Sequence, residues 1–162
     1  VSATTLEILA ARGVATAVTI EPGWPSEGAL APGELARGTT PDYRTAPSEP
    51  YLPLSPQRFL EPGDGAPLMM PMFSTSAGAV RAPLELWTEP DAFEAAITRE
   101  LAVWAPPVVG FAVRSDLPLV PQWPWFTANL GLLARIAAET GSSFMTVAEA
   151  TAVVGSRSSP CG

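Results

Sequence analysis

The chain has 162 residues, 47% of them hydrophobic, and sets nine basic against sixteen acidic residues for a net charge of −7. This length suits one domain that buries roughly 70% of its unfolded surface, and the apolar fraction excludes wholesale disorder. The acidic balance excludes a nucleic-acid partner, which would need a basic face to meet phosphates, and it disfavours an anionic membrane surface.

Every basic residue is an arginine, which reads first as a coding bias. The single cysteine, Cys161, rules out an internal disulfide and a thiolate metal site within the chain. No apolar run approaches the ~20 residues that span a bilayer, so no transmembrane segment is expected. The first residues lack a charged stretch followed by an apolar one, so no signal peptide is visible and the compartment stays open. The chain starts with Val1 and enters directly at a helix, which is read as a sign of a missing upstream part.

In chain order, Thr4-Thr5-Leu6-Glu7 fits a capping box, with Leu6, Leu9 and Ala10 as an apolar stripe and Gly13 as the stop. Val14 to Ile20 reads as a short apolar strand of the kind buried on both faces of a parallel sheet. Residues 22–67 form a long proline-rich loop, since most turn punctuation of the chain falls there. Leu68 to Phe73 is a second apolar strand, weakened by Pro71, which cannot donate to a ladder.

Thr88-Glu89-Pro90-Asp91 opens a helix whose buried face is Phe93, Ile97, Leu101 and Trp104, ended by Pro106-Pro107. Val108 to Val113 is the clearest strand by composition. A proline-rich loop then carries Trp123 and Trp125, and Phe126, Leu130, Leu133, Ala134 and Ala137 stripe a helix that stops at Gly141. Ser143 to Thr146 reads as a short strand, and Thr146-Val147-Ala148-Glu149 as a capping box opening a last helix to about Val154. The order predicts an α/β fold with a mostly parallel sheet, as one domain over 1–155 and a flexible tail over 156–162.

Several phrases in order resemble one family. Leu6 to Gly23 looks like a helix-then-strand segment ending in a P-G turn. Asp42 to Ser55, D-Y-R-T-A-P-S-E-P-Y-L-P-L-S, resembles a Y-R-x-A-P…P-Y-x-P-S loop, and L-M-M-P-M-F resembles the strand that follows it. Gly110 to Asp116 is similar to a late strand ending in L-H-D, and Asn129 to Ala150 to a final helix, strand and helix. Together these resemble the C-terminal portion of a NodB-like polysaccharide deacetylase domain.

The resemblance implies a partial (β/α) barrel, the C-terminal portion of a deacetylase-like distorted barrel with a long Pro-rich loop. It implies a parent reaction in which a divalent metal, zinc or similar, assists hydrolysis of an N- or O-acyl group on a carbohydrate. The family's T-F-D-D strand end and H-x-x-x-H metal motif have no match here, and Ser115 stands where its late histidine would be. The chain contains no histidine. No catalytic residue, metal ligand or cofactor is therefore assigned to the chain, which is expected to be inactive alone and to partner the missing N-terminal half of the barrel.

Barrel enzymes place their sites at the C-terminal ends of strands. That selects Glu21 and Trp24 after the first strand, Tyr43, Arg44 and Tyr51 in the central loop, Arg114, Ser115 and Asp116 after the third strand, and Trp123 and Trp125. Of these, Tyr43, Arg44, Tyr51, Arg114, Asp116, Trp123 and Trp125 form the expected carbohydrate-binding set, with rings for sugar faces and arginines for carbonyl or carboxylate groups. Each also has a structural reading: tyrosines as loop anchors, Arg44 paired with Asp42 or Glu49, Arg114 paired with Asp116, tryptophans covering the sheet end, and Glu21 as a solvated turn residue. A paired-carboxylate glycosidase using Glu21 and Asp116 is the least supported hydrolytic reading. The alternative to a deacetylase part is a non-catalytic β/α module that binds glycan or protein through the Tyr43–Tyr51 loop and Trp123 and Trp125.

Overall fold

A computed structural model describes residues 2–24, 42–77, 80–111 and 120–158. The chain divides into two compact units, Val1–Pro83 and Leu84–Gly162, and the described residues are mixed α/β, with helices and small sheets.

The first unit opens with helix α1 (Ala3–Ala11), capped by Ser2, whose hydroxyl accepts the Thr5 N–H at 3.2 Å. Ser2 takes the capping role expected of Thr4, because a start at Ala3 carries Leu6 into the core, where it is wholly buried. Strand β1 (Thr16–Ala17) then pairs in parallel with β2 (Leu68–Met69), in the register Thr16↔Leu68 and Ala17↔Met69. Bonds from Leu68 N–H to the Ala15 carbonyl, Met70 to Ala17 and Met72 to Ile20, at 2.8–2.9 Å, extend the pairing beyond the regular strand. Of the runs expected over 14–20 and 68–73, Ala15 to Ile20 and Leu68 to Met72 are thus joined, although regular strand is confined to two residues in each.

Proline explains much of that confinement. On its other side Met69 exchanges both backbone bonds with Tyr51, at 3.0 and 2.7 Å. Past the end of β2, the next residue facing that side is Pro71, which has no N–H, so the pairing with the Tyr51 segment stops there. The unit ends in a hairpin that the sequence reading did not foresee, β3 (Ser74–Ala77) against β4 (Val80–Pro83), with Ser74↔Pro83 and Ser76↔Arg81 opposed. The expected four-strand, mostly parallel sheet is replaced by one parallel pair and one antiparallel pair, and no barrel closes among the described residues.

The core of this unit is built from Leu6, Ala17, Ile20, Tyr43, Ala46, Tyr51 and Met69, with Leu9, Phe59 and Leu60 packed against it. Five of those residues, Tyr43, Ala46, Tyr51, Phe59 and Leu60, come from the proline-rich stretch outside any named helix or strand. Irregular backbone here is core-forming.

In the second unit α2 (Pro90–Val103) is capped by the Glu89 carboxylate, which accepts the Ala92 N–H at 3.0 Å. Phe93, Ala96 and Ile97 form its buried face. Helix α3 (Trp123–Thr140) packs on α2 through an Arg135–Glu94 ion pair at 2.8 Å and ends at Gly141, whose φ of 69° is the left-handed conformation a helix stop requires. The buried Asn129 of α3 donates to the carbonyls of Leu86 and Thr88, both at 2.8 Å, and so fixes α3 to the segment entering α2. Helix α4 (Val147–Ser158) opens on the expected capping box: Thr146 N–H reaches the Glu149 carboxylate at 2.6 Å, and Glu149 N–H reaches the Thr146 hydroxyl at 3.3 Å.

Four expectations for this unit are corrected. Residues 108–111 carry one bridging residue, Gly110, and no strand; residues 112–113 lie outside the described residues. Ser143 to Thr146 is exposed and forms no strand, and its last residue, Thr146, serves instead in the cap of α4. Trp123 and Trp125 start α3 rather than sitting in a loop. Helix α4 runs on to Ser158, past Val154, since Gly155 carries no turn that would stop it.

Candidate functional site

The loop that leaves β1 makes a tight turn at its carboxyl end. Trp24 N–H bonds the Glu21 carbonyl at 3.0 Å, with Pro22 and Gly23 at the two central positions and a φ of 90° at Gly23. This is the geometry of a type II turn, which needs glycine at the third position. A side chain there would also strike the Arg81 carbonyl oxygen, which lies 2.0 Å from where a Cβ would stand. The sequence Pro-Gly is therefore required both by the turn and by the approach of strand β4.

Tyr43 is fastened to this turn by its backbone: its N–H bonds the Trp24 carbonyl at 2.8 Å, and its carbonyl accepts from Gly23 at 2.9 Å and from Ala46 at 3.0 Å. Its ring is 2% exposed, and burial pushes the phenol up to about 12, with the negative charge of Glu21 adding to the effect. Tyr51 is 8% exposed; its hydroxyl donates to the Phe59 carbonyl at 2.8 Å, and burial raises its phenol too, with Tyr43 contributing. Both rings belong to the core, and a sugar stacks only on a ring that offers a face. In this arrangement the tyrosines anchor the loop.

Arg44 is exposed and clasps Asp42: its Nε donates to both carboxylate oxygens at 2.9 and 3.0 Å, and its Nη2 to Oδ2. The Arg44 N–H also bonds Asp42 Oδ1 at 3.0 Å, closing an Asx turn. The hydrogen bonds from Arg44, first its side chain and then its backbone, hold the Asp42 carboxyl at about 2. The Tyr43 N–H, between Asp42 and Arg44, ties this pair to the Trp24 backbone, and Trp24 has 36% of its surface exposed. A shallow depression lined by Thr45, Gln57, Arg58, Phe59, Leu60 and Glu61 runs along the same loop, where Arg58 pairs with Glu61.

One residue that sequence reasoning did not single out lies close to this end. Arg81 of β4 donates from Nη1 to the hydroxyls of Ser48 and Ser74, the latter at 2.9 Å. Ser74 is fully buried. Strand alternation was the available signal, since Ser74, Ser76, Arg81 and Pro83 share one face of the hairpin.

In the second unit, Trp123 and Trp125 are 55% and 41% exposed, and Trp123 stacks on Phe126 with ring centroids 5.1 Å apart. Arg114, Ser115 and Asp116 lie outside the described residues, so the Arg114–Asp116 pair and the Glu21–Asp116 arrangement have no structural description. Among the described residues no group of three or more His, Cys, Asp or Glu stands close enough to hold a metal ion, and no helix is long and apolar enough to cross a membrane. Compared with known proteins, the chain matches no family model, no curated protein and no solved structure.

Proposed function

We propose that this chain is the C-terminal portion of a NodB-like polysaccharide deacetylase, a piece of its distorted (β/α) barrel that supplies a substrate-side wall. The observation that carries this reading is the D-Y-R…P-Y loop, fastened through Tyr43 and Tyr51 along the parallel pair β1–β2, with Trp24 and Arg44 left outward at the carboxyl end of β1. Ligands of β/α proteins bind outside the carboxyl ends of parallel strands. An exposed indole offers a stacking face and an exposed guanidinium offers hydrogen-bond donors, a pair of groups that suits an acylated amino sugar.

The parent reaction is metal-assisted removal of an acyl group from a carbohydrate. The residues here do not fit the metal, because the chain has no histidine and the described residues bring no three carboxylates together. No bond-breaking step is assigned to them. The chain binds and positions the sugar.

Calorimetry with an N-acetylglucosamine oligosaccharide tests this. The chain is expected to bind the sugar without releasing acetate, and Trp24→Ala is expected to weaken binding at least about tenfold, or about 1.4 kcal/mol. Binding unchanged in Trp24→Ala would sink the assignment. A second reading, a non-catalytic glycan-binding module, is favoured by the exposed Trp123 and Trp125. Loss of binding in Trp123→Ala with Trp24→Ala unaffected would select it.

A further inference from the structure

The side chains of Arg44 and Arg81 are held in different ways. A guanidinium carries five N–H donors, and its Nε–Nη2 edge is one of the two that meet an oxyanion with parallel bonds. In Arg44 that edge is filled by Asp42. In Arg81 both described side-chain bonds leave from Nη1 and end on neutral hydroxyls, those of Ser48 and Ser74, and no carboxylate pairs with it among the described residues. The two N–H groups of Nη1 are thereby used, and among the described residues the Nε–Nη2 edge carries no bond.

The setting favours a ligand over a solvated surface charge. Ser74 is fully buried and Arg81 is half-buried, so the guanidinium is braced from behind in a fixed orientation. Hydroxyls steady a cation without neutralising it. The Arg81 backbone also abuts Gly23 closely enough that a Cβ at Gly23 would stand 2.0 Å from the Arg81 carbonyl oxygen. This places strand β4 against the turn that carries Trp24.

We propose that Arg81, braced by Ser48 and Ser74, is an oxyanion-binding residue that recognises a carboxylate borne by the sugar chain bound at the Trp24 turn. The inference rests on the glycan reading above and narrows its ligand class to acidic glycans. A planar carboxylate takes two parallel bonds from Nε and Nη2, and this geometry is unavailable to lysine.

Calorimetry should compare a glucuronic-acid-containing disaccharide with its neutral, glucose-containing counterpart, with inorganic phosphate as a third probe. The acidic sugar is expected to bind the wild-type chain at least tenfold more tightly than the neutral one. Arg81→Gln is expected to abolish that preference, Arg81→Lys to reduce it, and Ser48→Ala to reduce it a few-fold. Phosphate that competes with the acidic sugar would support the same oxyanion edge, and phosphate that binds while the sugar does not would assign the edge to a free anion. Equal affinity for the two sugars with no phosphate binding overturns the proposal and leaves the Trp24 reading standing. Should Arg81→Gln fail to fold, the Arg81 Nε resonance of the wild-type chain decides: a saturable shift with the acidic sugar supports the proposal, and an unmoved resonance under saturating sugar overturns it.

Discussion

In the first unit Tyr43 and Tyr51 sink their rings into the core and hold a proline-rich loop along two short parallel strands. In the second unit Trp123 and Trp125 start a regular helix with much of their surface in solvent. The loop that composition marks as irregular is the better anchored of the two aromatic-bearing segments. The helical segment that periodicity marks clearly leaves its largest side chains outside. Regular backbone hydrogen bonding and burial are thus separate properties, and in this chain they are distributed in opposite senses.

The contrast breaks most visibly at buried apolar positions. Ile20→Ala removes a wholly buried side chain from the first core and is expected to cost about 2–5 kcal/mol. Trp125→Ala is expected to stay within about 0.5 kcal/mol, as for surface substitutions generally. Denaturant midpoints of the two variants measure both; similar losses would refute the contrast. Next in size is Gly23→Ala, expected to cost about 1–3 kcal/mol because it combines a positive φ with a clash against the Arg81 backbone. A variant as stable as wild type would show that the turn and β4 do not meet as described.

Smaller effects sharpen the picture of the tyrosines. Tyr51→Phe loses the bond to the Phe59 carbonyl and is expected to cost about 1 kcal/mol, read from the same midpoints. Burial raises the Tyr43 phenol from 10.0 to about 12, so the fold favours its neutral form. Its contribution is therefore fully present below pH 10.0 and lost as pH rises through about 12. An alkaline titration followed by circular dichroism should show this limb in the wild-type chain and a weaker one in Tyr43→Phe.

Much of the helical half was legible because its signals are local. The Thr146–Glu149 box, the Glu89-Pro90 start and the Gly141 stop depend on residues a few positions apart, and all three appear where expected. The parallel pairing of the segments after Ala15 and Leu68 was legible as apolar runs, but its short regular extent depends on Tyr51 and Pro71. The β3–β4 hairpin escaped because its strands include Ala77, Ala82 and Pro83, residue types depleted in strands. The 108–111 segment misled in the other direction: Val108, Val109 and Phe111 favour strands, but of residues 108–111 Gly110 alone forms a bridge. Of the candidate site, Trp24 was selected by position after β1 and Tyr43 and Arg44 by their place in the central loop, whereas Arg81 is brought there by the β3–β4 register, for which strand alternation was the one signal.

The most direct test of the central claim is nuclear magnetic resonance of the five indole N–H groups during titration with an N-acetylglucosamine oligosaccharide. The account predicts that the Trp24 indole shifts saturably and further than those of Trp123 and Trp125. A Trp24 resonance that stays in place at saturating sugar, whether or not the other indoles move, would contradict a glycan site at the carboxyl end of the parallel strands.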